Sequence, residues 1–157
     1  MAKYLLLITL IGVLGLAVWT PAAPAAAGPL AHTYSIVARD PRTGEMGVAV
    51  QSHWFGVGTI VAWAEAGVGA VATQSFVEPA YGPRGLELMR TGLSAPDALR
   101  ALLAADPAEA VRQVAFVDSQ GRVATHTGAR CVACAGHLAG AQFSVQANMM
   151  LNDAVVP

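Results

Sequence analysis

Lysine is all but missing from this chain, with Lys3 its single example. Charge of either sign is scarce: 12% of residues are charged and the formal net charge is -1. Such a balance carries no electrostatic footprint for nucleic acid or for an anionic lipid surface, so small molecules or peptides are the expected partners. It also predicts a surface prone to self-association, and with it a homo-oligomer. Cysteine is confined to Cys131 and Cys134, aromatic residues make up 6%, and no repeat or linker divides the chain.

The one long apolar run lies near the start. Lys3 precedes Leu5 to Trp19, and the small-residue stretch Pro21 to Ala27 follows, which is the order of a signal peptide over residues 1–27. Ala25 and Ala27 satisfy the small-x-small rule, so a cut after Ala27 is expected, leaving Gly28-Pro29-Leu30-Ala31-His32 ahead of Thr33. The run is short of the roughly 20 apolar residues of a membrane span, an uncleaved signal anchor being the alternative. Export to a secreted or periplasmic location is expected, with no membrane association once the signal is removed. Residues 28–157 suffice for one domain with a real core. The mean hydropathy of +0.51 reflects the signal and the many alanines, not a membrane protein.

Hydrophobic periodicity then divides the domain. Alternation from Thr33 to Arg39, the turn Asp40-Pro41-Arg42-Thr43-Gly44 and the run Met46 to Gln51 predict a hairpin. Thr59 to Ala64 and Gly69 to Gln74 predict a second strand pair, rich enough in Val and Ala to be buried on both faces. Pro83 to Arg90 predicts a helix closed at Gly92, and a second follows an N-cap at Ser94, with Ala98, Leu99, Leu102 and Leu103 on one face and Pro107 beyond its end. Strands resume at Arg112 to Val117, Arg122 to Thr127 and Gln142 to Ala147, while the glycines Gly128, Gly136 and Gly140 predict a loop around the cysteines. Met149 to Val156 reads as the start of a helix. Blocks of strands around a block of helices indicate an α+β domain, a sandwich of three or four layers.

Several strings carry a resemblance: His32-Thr-Tyr-Ser-Ile-Val-Ala-Arg-Asp, Gly47-Val-Ala-Val-Gln-Ser-His-Trp-Phe, Glu65-Ala-Gly-Val-Gly-Ala-Val-Ala-Thr-Gln-Ser, Tyr81-Gly-Pro-Arg-Gly-Leu-Glu-Leu and Val117-Asp-Ser-Gln-Gly-Arg. From about Thr33 to Asn152 the chain resembles the bacterial "domain of unknown function 1028" family. The resemblance implies a fold like that of the N-terminal nucleophile (Ntn) hydrolases, an αββα sandwich of mainly antiparallel sheets with covering helices. Such a sandwich ordinarily continues with more helix and strand, so this chain is expected to be incomplete at its C-terminal end.

Within that resemblance Thr33 matches the opening threonine of the family pattern. A threonine freed as a chain terminus is a nucleophile with its own base, because an α-amine titrates near 7.7 to 8.0 and takes the hydroxyl proton close to neutral pH. The expected signal cut misses the His32–Thr33 bond, so that chemistry requires self-cleavage; otherwise Thr33 is a β-branched strand residue with peptide on both sides. Ser35, on the same strand face, is a weaker nucleophile candidate. No carboxylate or lysine is placed to assist as in a proteasome. His53 is a candidate pocket acid or base, or else a polar loop residue packed beside Trp54; Ser52, its neighbour, would point to the opposite face of a strand. Gln51, Ser52, Thr73, Gln74 and Tyr81 are the candidate substrate-binding residues, with Ser75 beside Gln74 at the same strand end able to hydrogen-bond a substrate. Two functions follow: an exported amide hydrolase acting on peptides or acylated amines, or a non-catalytic binding module on the same scaffold.

No cofactor is expected. Gly67-Val-Gly-Ala-Val-Ala72 fits a loose dinucleotide pattern, but its glycines precede a strand where the fingerprint needs a strand before and a helix after. Cys131-Val-Ala-Cys134 in an exported protein is read as a disulfide, with free thiols as the alternative. A metal site with His137 would offer three ligands where structural zinc takes four, so no metal is expected.

Overall fold

Asp40-Pro41-Arg42-Thr43-Gly44 cannot continue a strand, since Pro41 has no N–H for the ladder and Gly44 takes a left-handed backbone, φ 76°. In the computed structural model, which describes residues 32–156, this turn joins β1 (Thr33–Arg39) to β2 (Met46–Ser52) as an antiparallel pair with Thr33 opposite Ser52. The expected signal peptide and its cut after Ala27 lie outside the described residues. Beyond β2 come a helical turn α1 (Gly58–Val61), β3 (Ala62–Glu65), β4 (Gly69–Ser75), the helices α2 (Tyr81–Arg90) and α3 (Ala95–Ala105), and a 3-10 turn (Glu109–Val111). Then follow β5 (Arg112–Asp118), β6 (Val123–Thr127), β7 (Gly136–Gly140) and β8 (Phe143–Asn148). Among the described residues no helix is long and apolar enough to cross a membrane.

The strands form two antiparallel sheets, ordered β2-β1-β8-β7 and β3-β4-β5-β6. On one face of the second sheet Val71, Val114 and Phe116 pack against Leu86, Met89, Ala98 and Leu99 of α2 and α3. On its other face Ala70, Ala72, Ala115 and Val117 meet Val37, Val48 and Val50 of the first sheet. β4 and β5 are therefore buried on both faces, which is why they read as nearly continuous apolar runs. β1 alternates, with Thr33, Ser35 and Val37 inward and Tyr34 and Ile36 exposed on the outer face. The mixed α/β architecture expected from the block order is present. Helices cover one sheet only among the described residues.

α2 lies close on the sheet because Gly82 and Gly85 share its inner face. A β-carbon at Gly82 would come within 2.3 Å of the Trp63 ring, and one at Gly85 within 2.4 Å of Phe116 Cζ. α3 is seated by two caps. Ser94 Oγ accepts from Asp97 N–H at 3.1 Å, and the buried Asp118 carboxylate accepts from Ala95 N–H at 2.9 Å. Asp118 also accepts from the Gln120 and Arg122 N–H groups and from Arg122 Nε, closing the β5–β6 turn. Burial raises its proton affinity, but these donors together outweigh it and hold the carboxyl below its usual range.

Four local expectations are corrected. Thr59 to Val61 is helical, not strand, because the chain turns at Gly56 (φ 71°) and Val61 N–H donates to Val57 O. Gly136 to Gly140 is an edge strand, not a loop. Its glycines hid the pattern, and one is required: a β-carbon at Gly140 would come within 2.3 Å of the facing Phe143 ring. The stretch after Met149 makes bends and turns instead of opening a helix. α2 begins at Tyr81, two residues before Pro83.

Two stability measurements check this account. Gly85→Val forces the helix off Phe116 and is expected to lower the urea unfolding free energy by about 2 kcal/mol. Because the folded carboxyl of Asp118 titrates below its unfolded value of about 3.9, its contribution is complete above that pH and is lost as pH falls through the folded value. Asp118→Asn is expected to cost about 2 kcal/mol at neutral pH and to flatten the loss of stability on acidification below about pH 4.

Candidate functional site

Four hairpin turns, after β1, β3, β5 and β7, close one end of the sandwich, so the strand ends without turns collect at the other. There Thr33 opens β1, Ser52 closes β2, Asn148 closes β8, Gln74 and Ser75 close β4, and Arg112 and Gln113 open β5. Between these ends lies a cavity of about 570 Å³. Its polar lining comes from Thr33, Ser52, Gln74, Ser75 and Arg112, and its larger apolar part from Trp54, Phe55, Ile60, Val61, Phe76 and their neighbours. A mostly apolar wall with a few converging polar groups is the usual constitution of a small-molecule site.

Thr33 Oγ1 and Ser52 Oγ lie 2.8 Å apart, and Ser52 Oγ also accepts from Trp54 N–H at 3.1 Å. The preceding residue is tied down: His32 Nδ1 lies 2.6 Å from Met149 O, a carbonyl that can only accept, so Nδ1 carries the proton. Below the cavity Gln113, fully buried, reaches from β5 across to the first sheet. Its Nε2 lies 2.9 Å from Ala147 O and 3.1 Å from Gly136 O, and its Oε1 accepts from Gln74 Nε2 and Asn148 Nδ2. Arg112 is held by Asp106 at 2.8 Å through Nε and by Phe76 O at 2.7 Å through Nη1. Ser75 (φ 68°) and Met149 (φ 58°), both on the cavity wall, are two of the four described non-glycine residues in the left-handed region.

The structure thus gathers Thr33, Ser52, Gln74 and Ser75 at one site and leaves the other candidates elsewhere. Ser35 faces inward but deeper, donating to Gln146 Oε1 at 2.7 Å. Gln51 is exposed on the outer face opposite Tyr34, because the strand alternation that turns Ser52 inward turns its neighbour out. His53 is exposed with its ring centroid 6.1 Å from that of Trp54, the polar loop residue of the second expectation. Thr73 is fully buried and donates to Glu78 O at 3.2 Å, away from the cavity. Tyr81 faces the helical layer, where its hydroxyl meets Asp106 Oδ2 at 3.1 Å; burial first, and then the Asp106 charge, push its proton affinity up. Gln113, Asn148 and Arg112 were not singled out from the sequence. A long amide inside the apolar run Arg112-Gln-Val-Ala-Phe-Val117 is the signal that could have flagged Gln113.

The expected disulfide is not formed. Cys131 and Cys134 are free thiols, Cys131 Sγ donating to Arg112 O at 3.3 Å while Cys134, in a left-handed conformation, is directed at Asp153. Burial first, and then the Asp153 charge, raise the Cys134 thiol above its usual value. His137 Nδ1 bonds Thr127 Oγ1 at 2.8 Å, and among the described residues no three His, Cys, Asp or Glu side chains converge on a point.

A two-sheet α/β protein with a partly apolar cavity at its crossover end is the class these observations define. The model of a family described as "Family of unknown function (DUF1028)" matches residues 33–157, and the chain belongs to that family. It is similar to the crystal structure of protein SPO2555 from Silicibacter pomeroyi, also of that family, at 29% identity and a TM-score of 0.75. The likeness covers 80% of this chain and 56% of the other, so the chain spans little more than half the length of that neighbour. No curated protein matches it.

Alkylation with iodoacetamide in denaturant, without reductant, is expected to add two carbamidomethyl groups per chain; an unmodified mass would show the disulfide instead.

Proposed function

We propose that the protein is an exported amide hydrolase of the N-terminal nucleophile type, acting on acylated amines or peptides with Thr33 as nucleophile. The observation that carries this reading is the place of Thr33. Its hydroxyl stands beside Ser52 Oγ, Thr33 and Ser52 both line the cavity of about 570 Å³, and Thr33 is the first residue of the family match. The order helices, sheet, sheet supports the Ntn-type sandwich as its frame.

In this mechanism the His32–Thr33 bond is cut first. The freed α-amine then takes the hydroxyl proton while Oγ1 attacks the substrate carbonyl carbon; the tetrahedral intermediate collapses, the amine leaves with that proton, and water hydrolyses the ester left on Oγ1. Without the cut, the hydrogen-bond partner of Oγ1 is another hydroxyl, Ser52, which is no base at neutral pH. The apolar wall suits an acyl chain. A non-catalytic binding module is the second reading, favoured by the way His32 is held: its ring bonds Met149 O, and its carbonyl accepts from His53 N–H at 3.4 Å.

Terminal sequencing of protein recovered from an exporting bacterial host discriminates between them. A chain beginning at Thr33 is expected, with Thr33→Ala lowering turnover of an octanoyl anilide at least about a thousandfold while the unfolding midpoint is kept. A stable terminus upstream of Thr33 together with undiminished ligand binding would establish the binding module, and full activity in the alanine variant would remove Thr33 from the chemistry.

A further inference from the structure

The outer face of the first sheet has the wrong polarity for water. An antiparallel sheet that packs on one side ordinarily turns its apolar residues inward and its polar ones out. Here β1 and β8 do the reverse. Ser35, Ser144 and Gln146 point inward and are buried, with Ser35 Oγ donating to Gln146 Oε1 at 2.7 Å and Gln146 Nε2 to Ser144 Oγ at 2.6 Å. Outward stand Tyr34 and Ile36, 52% and 37% exposed, in register with Ala147 and Val145 of β8, and Leu138 of β7, 45% exposed. Across all four strands the register meets no charged residue on this face; its polar groups are the Gln51 amide and the Tyr34 hydroxyl. Both long helices pack on the second sheet, and Val156 touches the first from outside at the Gly136 corner, where a β-carbon would meet its side chain at 3.5 Å.

Such a surface suits a second copy of itself. A patch with charge of one sign repels its own copy, and a patch of mixed charge selects a complementary partner. An uncharged face meets itself without conflict and holds nothing with which to choose another. The four strands span about 19 Å and the face runs about 20 Å along them, so two faces in contact remove roughly 1,000 Å² from water in total. That is the low end for a specific interface and fits a reversible dimer. The association also closes at two, because each copy has one such face and its far side is covered by α2 and α3. We infer that the protein forms a two-fold dimer in which the outer faces of the two β2-β1-β8-β7 sheets pack on each other and bury Tyr34, Ile36 and Leu138. The inference is independent of any chemistry at Thr33.

Sedimentation velocity of protein recovered from an exporting bacterial host tests it, over concentrations from about 1 to about 200 µM. A monomer–dimer equilibrium that stops at two copies is expected. Ile36→Glu and Leu138→Lys, each placing a charge in the contact, should weaken the dimer at least about tenfold while the circular dichroism spectrum is kept. Leu138 lies on the edge strand β7, so its variant carries the test where a charge at Ile36 unfolds β1. Phe55→Glu, at a fully exposed side chain on the cavity rim, should leave the dimer unchanged. A monomer at every concentration overturns the proposal and gives the face to another occupant, the residues ahead of Thr33 or a different protein. Growth past two copies, a dimer that survives both face variants, or one lost in Phe55→Glu overturns it as well, since each places the contact elsewhere.

Discussion

One side-chain amide sets the relation between the two sheets. Apolar layers attract without direction, and the alanine and valine surfaces that face each other between the sheets would tolerate a range of offsets. Gln113 does not. It leaves β5, crosses the interface and bonds the backbone carbonyls of Gly136 and Ala147 on β7 and β8. Sliding one sheet over the other would strand that amide in an apolar interior, at a cost of roughly 1–3 kcal/mol. The offset it enforces places the end of β4 opposite the start of β1, and the cavity is the space between them.

The frame and the cavity make opposite demands on stability. Phe116, Val71, Leu86 and Leu99 are buried between sheet and helices, and full burial of each such side chain contributes about 1.5–3 kcal/mol. At the cavity end the balance reverses: Ser75 and Met149 hold left-handed backbones, and Gln74, Ser75 and Asn148 keep buried polar atoms with no partner among the described residues. Each is a local cost that the apolar layers offset. Most of these costs gather at the strand ends around one space, while Arg39 Nε and the left-handed Gln142 lie at the turn end.

Much of the frame is legible in the sequence because its signals are local. Pro41 with Gly44, and Ser94 with Asp97, declare a turn and a helix start within a few residues, and the Val and Ala runs of β4 and β5 announce strands covered on both sides. What stays hidden depends on distant neighbours. Gly140 looks like a loop until Phe143 is seen across the ladder, and Thr59 to Val61 has strand composition but is wound by the turn at Gly56. The site divides in the same way. Thr33, Ser52 and Gln74 stand out as polar residues at strand ends, whereas Gln113 gains its meaning only from carbonyls 23 and 34 residues further along the chain. The cysteine spacing misled because proximity in sequence says nothing of where two sulfurs point.

The segregation of short turns from long connections divides labour between the two ends of the molecule. At the turn end, Asp118 and Gln142 bind neighbouring loops into the ladder, with Arg39 N–H donating to Gln142 O at 2.8 Å and Ser119 N–H to Val68 O at 2.9 Å. An inserted residue there would shift a hairpin register and turn a strand inside out. The connections between β2 and β3, β4 and α2, and β6 and β7 are tied to their neighbours, as by Phe76 N–H to Val111 O and Arg130 N–H to Ala110 O, but set no hairpin register, and they supply Trp54, Phe55, Phe76 and Val132 to the cavity rim. Lengthening or recomposing them changes what the rim admits and leaves every strand pairing intact. Room for inserted residues is thus concentrated at one pole of the scaffold.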